Sequence, residues 1–322
     1  MNGFTRFDLR RIEYLVALSV ALFAAMLAVT AALVGGQEVL AHLTSLKIRL
    51  VGVLLALSLV NYAARAVRWH LCARYLGLRP PFWQSILYYF AGFALTTTPG
   101  KVGEALRLWL MERCNGYPYA RTIPLLLADR VVDLVAMAML SVIGLFAVSS
   151  PAWLYVAGIA GIVGLLLFIM RPKLVLETVA LGYRLVGRWP RLFGRLRGAV
   201  RRTSELFTPK ILAVTLGLTV VGWLAECLAF ALVLHAFGVD IGLLGAILTF
   251  TVAMLAGALT FLPGGLGGTE ATMVALLAIQ GVGLEVAIPA TAVIRFTTLW
   301  FAVALGFLAL SPAMHLARRA VA

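Results

Sequence analysis

Nine ionisable residues interrupt stretches of chain that are otherwise apolar: Lys101, Glu104, Arg107, Asp129, Arg130, Asp133, Glu226, Glu270 and Arg295. Such residues are costly in an apolar medium, and they ordinarily face a cavity or a partner. Lys101, Arg107, Arg130 and Arg295 can attract a phosphate. Glu104, Asp129, Asp133 and Glu270 can balance those charges or bind a cationic group. Glu104 and Arg107 stand i,i+3; Asp129 and Asp133 stand i,i+4, with Arg130 on the same broad face. Arg295 lies about nine residues into its helix, roughly 14 Å deep. Two readings compete. In one, Asp129–Arg130–Asp133 neutralises itself and Glu270–Arg295 is a buried pair. In the other, the set serves a function, and its placement on two broken segments favours this. Glu226 has no obvious mate and is a weaker candidate.

Each broken segment carries a Pro-Gly interruption: Pro99, Gly100 and Gly103 in one, Pro263, Gly264, Gly265, Gly267 and Gly268 in the other. The run of glycines at 264–268 satisfies neither GxGxxG nor GxxxxGK[ST], and no strand precedes it. Exposed N–H groups at a half-helix N-terminus, aimed at an anion, suit it better. No Ser/His/Asp set, Cys/His pair or metal cluster appears, and no cofactor is expected. Cys72, Cys114 and Cys227 show no ligand or CxxC spacing.

The elements that must carry these residues follow from composition. Of 322 residues, 62% are hydrophobic and 12% charged, against about 45–50% and about 25% in soluble domains. Mean hydropathy is +1.00. Soluble enzymes, disordered scaffolds and disulfide frameworks are excluded, and 1–322 reads as a single polytopic membrane domain. Six apolar runs suffice to span a bilayer: 12–34, 50–71, 122–148, 152–170, 211–236 and 286–311. They are continuous and too long for barrel strands. Two further regions, 82–114 and 243–281, are broken near the middle by Pro99-Gly100 and Pro263-Gly264. Their arms are marginal or short for a span, and broken backbone at membrane depth requires protein or a water-filled cavity beside it. The expected fold is an all-α integral membrane protein of six full transmembrane helices plus two re-entrant hairpins in an inverted repeat. Gly158, Gly161 and Gly164 are expected to serve close helix packing.

The net charge of +14 reflects basic loops on one side of the membrane rather than nucleic-acid binding. The positive-inside count places both termini in the cytoplasm of what is expected to be a bacterial inner membrane. Residues 171–210 hold ten basic and two acidic residues. There Arg184, Arg188, Arg191, Arg195 and Arg202 share one helical face, and Leu181, Leu185, Leu192, Leu196 and Phe207 the next. Either a helix lying on anionic lipid, broken at Pro190, or a solvated loop fits this pattern.

Residues 94–105 read ALTTTPGKVGEA and 258–271 read ALTFLPGGLGGTEA. Six of the first ten positions are identical. Each Glu is followed by an Arg in the next helix, Glu104 by Arg130 and Glu270 by Arg295. Three crossings separate the two copies, so units 50–148 and 211–311 are expected to be inverted, the arrangement of many secondary transporters.

PGKVGEALR from Pro99 to Arg107, ADRVVD from Ala128 to Asp133, and FLPGGLGGTE from Phe261 to Glu270 with Arg295 after it resemble the transmembrane region of lysylphosphatidylglycerol synthases, also called the flippase-like domain. The resemblance runs over roughly 12–311. It implies binding and moving a lipid with a polar or charged headgroup: a phospholipid, hopanoid, glycolipid or polyprenyl-linked lipid. The synthase domain is not expected, so neither is the synthase reaction. The partners expected are membrane lipids with anionic or zwitterionic headgroups, and a lipid biosynthetic enzyme. The rival functions are a membrane-embedded lipid-modifying transferase and a non-transporting subunit that docks such an enzyme through 171–210.

Overall fold

The computed structural model describes residues 21, 46–98, 102–148, 151–187, 190–260 and 262–320. The expected first span, 12–34, apart from residue 21, and the first break, Pro99, Gly100 and Lys101, lie outside the described residues. Twelve α-helices carry nearly all of the rest, and no strand occurs among the described residues. They are α1 (Ile48–Tyr75), α2 (Phe82–Ala91, extended by a 3-10 turn Gly92–Leu95), α3 (Val102–Asn115), α4 (Tyr119–Gly144, extended by Leu145–Ala147), α5 (Ala152–Ile169), α6 (Pro172–Val186), α7 (Pro190–Thr203), α8 (Pro209–Ala236), α9 (Gly242–Leu259), α10 (Gly268–Ile279), α11 (Leu284–Arg295) and α12 (Phe301–Arg319). A π-helical turn, Phe296–Trp300, joins α11 to α12.

Six helical stretches are long and apolar enough to cross a membrane: Ile48–Tyr75, Tyr119–Ala147, Ala152–Ile169, Pro209–Ala236, Gly242–Leu259 and Leu284–Arg319. This is an integral membrane protein. Five of the six coincide with expected spans. The other, α9, is the first arm of the second broken segment. Its 18 residues make about 27 Å of helix, close to the roughly 30 Å of a hydrocarbon core. Its partner arm α10 has only 12 residues, and the arms of the first segment are 14-residue pieces at most.

The bundle is assembled crosswise. α1 and α8 pack along each other, and Asn61 meets Gly222 at their crossing. The first broken segment leans on α12, from the far end of the chain, while α9 of the second leans on α4. Two apolar cores result. One gathers Tyr62, Trp69, Tyr88, Tyr89, Leu95 and Leu106 around the first segment; the other gathers Trp223, Phe230, Phe250, Met273 and Ile294 around the second. Proline falls at the sixth position of both α4 (Pro124) and α11 (Pro289). At that step each proline removes one i→i−4 hydrogen bond from its helix.

Outside this bundle the packing is thinner. α5 touches mainly α4, and Ile169 is its only buried residue. Gly158 meets Val142; nothing among the described residues lies within 4 Å of a Cβ at Gly161 or Gly164. Of the three expected packing glycines, Gly158 is the one with a packing neighbour among the described residues. In the basic stretch, α6 ends on Gly187 in a left-handed conformation (φ 62°) and α7 begins at Pro190. Both devices stop and restart a helix cheaply. Leu181 and Leu185 are exposed, whereas Phe207 turns away from that face into the core.

Gly306 lets α12 reach the first segment: a Cβ there would fall 2.1 Å from the Ala94 backbone nitrogen. Gly306→Val should therefore destabilise the protein by at least the ~1–3 kcal/mol of ordinary overpacking. Gly161→Ala, beside open space, should not. Thermal unfolding in detergent compares the two, and equal melting temperatures would show that α12 is free to withdraw.

Candidate functional site

The two broken segments, α1, α4, α8 and the α11–α12 joint enclose a cavity of about 520 Å³. Its wall includes Arg65, Glu104, Arg107, Arg130, Asp133, Glu226 and Arg295, together with Trp223, Gly264 and Thr298. A charged hollow inside a bundle of membrane-spanning helices is an expensive feature, and its cost is met by pairing.

The innermost group is on α1. Arg68, 1% exposed, is ion-paired with Asp129, donates to Asp133 Oδ1 at 2.8 Å and reaches the Thr219 hydroxyl at 2.5 Å. One turn earlier, Arg65 donates to Asp133 Oδ2 at 2.7 Å and lies over the Trp223 ring, 5.3 Å from its centre. The side chain of Asp133 thus accepts from two arginines. This corrects the expected self-neutralising Asp129–Arg130–Asp133 set. Asp129, the adjacent residue, points about 100° away from Arg130, and both oxygens of Asp133, three residues on, are taken by Arg65 and Arg68. Arg130 pairs instead with Glu104 on α3, at the partly exposed rim of the cavity.

The pair on the other side has the same design. Arg295 Nε donates to Glu270 Oε1 at 2.5 Å, and its Nη2 donates to the Gly264 carbonyl at 2.7 Å. Glu270 Oε2 in turn accepts the Gly267 N–H at 2.6 Å, the carboxylate half of a capping box at the start of α10. Gly264, Gly265 and Gly267 all have positive φ (61°, 68° and 84°), which only glycine adopts without penalty. The glycines shape the turn; Glu270 and Arg295 hold it against α11. Pro263 opens a short 3-10 turn and Gly268 opens α10. Gly264 and Gly265 face the cavity, but the Arg295–Gly264 bond shows a carbonyl, not only N–H groups, turned toward charge.

Arg107 sits differently. It is 4% exposed, stacked 3.8 Å from the Tyr89 ring centre and near Phe93 (5.4 Å) and Trp69 (5.8 Å). Its nearest recorded carboxylate oxygen, Asp129 Oδ2, is 4.0 Å away, beyond hydrogen-bond reach. Glu104, three residues before it, is committed to Arg130. Gly92 and Gly103 make room for this side chain and for the two arms: a Cβ on Gly92 would collide with Arg107 Nε, and one on Gly103 with the Gly92 carbonyl. Glu226, 4% exposed, lines the cavity and forms no ion pair within 4.0 Å among the described residues.

Of the expected site residues, Lys101, Pro99 and Gly100 lie outside the described residues. Glu104, Arg107, Arg130, Asp133, Glu226 and Arg295 share the cavity wall, while Asp129 and Glu270 stand behind it as ion-pair partners. Arg65 and Arg68 were not among the residues expected from sequence. Their position inside the apolar run 50–71, three residues apart, was the available signal.

The lysylphosphatidylglycerol synthase TM region family matches residues 16–306 of this chain, so the chain belongs to that family. A UPF0104 membrane protein of Methanothermobacter thermautotrophicus is 35% identical over 118 residues, 37% of this chain and 35% of the relative; in that match the chain covers only about a third of the relative's length. A match to a UPF0104 membrane protein of the same organism is 25% identical over 279 residues, 79% of this chain and 82% of the relative. One from Pyrococcus horikoshii is 24% identical, covering 75% and 80%.

Removing one partner of a buried pair costs about 3–5 kcal/mol, because the other charge remains. Arg68→Met, which strands Asp129 and leaves Asp133 with Arg65 alone, should fall in that range, seen as early unfolding in detergent. Arg295→Met should also be unstable, and adding Glu270→Gln should restore most of the loss. A double variant no more stable than Arg295→Met alone would show that Glu270 is not the charge being compensated.

Proposed function

We propose that this member of the lysylphosphatidylglycerol synthase TM region family binds and translocates a lipid with a polar or charged headgroup, acting as a carrier rather than as an enzyme. The observation that carries the reading is the cavity itself. Charged groups from the first broken segment and from α1, α4, α8 and α11 converge on one hollow among membrane-spanning helices, facing the glycines of the second segment's break. Most of its carboxylates are bound in ion pairs, which suits binding better than proton-transfer chemistry. Lys101, Arg107, Arg130 and Arg295 are the groups for a headgroup phosphate. Glu104, Asp129, Asp133, Glu226 and Glu270 balance them or face a headgroup cation.

An inverted repeat of units 50–148 and 211–311, with 82–114 and 243–281 as re-entrant hairpins, is the architecture we propose for this carrier. Its support is a set of matched positions. Glu104–Arg130 and Glu270–Arg295 pair alike. Pro124 and Pro289 occupy the same step of their helices. Asn61 and Gly222, each 13 residues past the first residue of its helix (61 − 48 and 222 − 209), touch one another. Equivalent positions meet in this way where a two-fold axis passes between two helices. The same proposal puts both termini and the basic helices α6 and α7 in the cytoplasm of the inner membrane, facing anionic lipid or a lipid biosynthetic enzyme.

Purified protein in vesicles with tail-labelled phospholipids tests carriage: it should move label between leaflets faster than protein-free vesicles do. Met254→Trp, which fills the cavity, should slow this about tenfold per folded molecule, while Val156→Trp on the exposed face of α5 should not. Unchanged rates in Met254→Trp would overturn the cavity as the route. For orientation, single cysteines at 240 and 195 in a background lacking Cys72, Cys114 and Cys227 should label from outside and inside respectively. The reverse labelling would invert the topology.

A further inference from the structure

The charges in and behind the cavity wall do not all cancel internally. Four arginines and four acids are matched: Arg68 with Asp129, Arg65 and Arg68 with Asp133, Arg130 with Glu104, and Arg295 with Glu270. Among the described residues, one guanidinium and one carboxyl group are left over. Arg107 has Nε and Nη1 without a hydrogen-bond partner among the described residues, and its one nearby carboxylate, Asp129, is taken by Arg68. Glu226 has no cation within 4.0 Å among the described residues. Both are 4% exposed and both line the same cavity. They come from different parts of the bundle, Arg107 from α3 and Glu226 from α8.

Resting on the lipid-carrier reading, we propose that the headgroup this cavity takes is a zwitterion, a phosphodiester joined to a primary amine, with the phosphate at Arg107 and the ammonium at Glu226. A purely anionic headgroup would satisfy Arg107 and add a like charge to a space containing the unmatched Glu226 carboxylate. A purely cationic one would do the reverse. Like charges in a medium of low polarity repel strongly. A dipolar headgroup meets both residual groups at once. Arginine is the side chain suited to a phosphate, since its planar fork of donors matches phosphate oxygens. Arg107 already lies over the Tyr89 ring, its guanidinium carbon 3.8 Å from the ring centre. The cavity volume lies within the roughly 300–1,000 Å³ of small-ligand sites.

Competition binding to the full-length protein in detergent tests this, with tail-labelled phosphatidylethanolamine as the probe. Unlabelled phosphatidylethanolamine, phosphatidylglycerol and soluble glycerophosphoethanolamine serve as competitors. Phosphatidylethanolamine should compete about tenfold better than phosphatidylglycerol, and the soluble headgroup should compete weakly. Glu226→Gln should erase the preference while phosphatidylglycerol still competes, and Glu226→Asp, which keeps the carboxylate, should retain it. Arg107→Gln should weaken both lipids about tenfold. Equal or better competition by phosphatidylglycerol in the wild type, or a preference that survives Glu226→Gln, would overturn the proposal. So would a soluble headgroup as effective as the lipid. Transport in vesicles is read separately. Selective binding without movement contradicts carriage and supports the zwitterion site; movement with no headgroup selectivity supports carriage and contradicts the site.

Discussion

Arg68 and the two carboxylates it holds are the interaction on which the rest of this structure depends. A guanidinium buried among membrane-spanning helices has no water to turn to, and the penalty for leaving it unpaired is several kcal/mol. Asp129 and Asp133 stand one turn apart on α4, so both reach the same side of α1. Thr219 on α8 takes a further donor. Three long helices are thereby fixed in rotation about their axes by one side chain. With those rotations set, Arg65, Trp223 and Glu226 are turned toward the cavity.

The broken segments are held by a second use of the same physics. A helix interrupted within an apolar region exposes backbone groups that lipid cannot satisfy. In the second segment, Glu270 accepts a backbone N–H and Arg295 donates to a backbone carbonyl, so the ion pair also repairs the break. Because each segment leans on a helix from the other part of the chain, neither is completed by local packing alone. The cavity lies where these cross-braced pieces fail to fill the space between them, and its polar wall follows from the pairs that brace it.

Much of this was legible in the sequence, for reasons that can be named. Long apolar runs marked the spans because a bilayer imposes a minimum length. The repeated ALT…PG motif matched Glu104 with Arg130 and Glu270 with Arg295 by spacing; the second was expected as a pair and forms, and the first forms as well. Arg65 and Arg68 escaped notice because hydropathy averaged over 50–71 still reads as a span, and because their partners lie 61 to 68 residues away. The error over Arg130 came from grouping it with Asp129, which the helix turns away, and with Asp133, whose oxygens are taken by Arg65 and Arg68. A glycine marks close packing only where another helix is present, and among the described residues α5 has few neighbours, so Gly161 and Gly164 meet none there. The crosswise packing of the two segments could not be read from sequence, since no local pattern records which distant helix a face will meet.

The central claim is that the hollow between the two broken segments receives a lipid headgroup. The most direct measurement uses a phospholipid with a photoreactive headgroup, reconstituted with the full-length protein, and maps the cross-linked residues by mass spectrometry. The account predicts cross-links at cavity positions such as Met254 and Met137, lost in excess unlabelled lipid, with little at the exposed residues Val156 and Ile159 of α5. Headgroup cross-links confined to the outer surface, with none in the cavity, would contradict it.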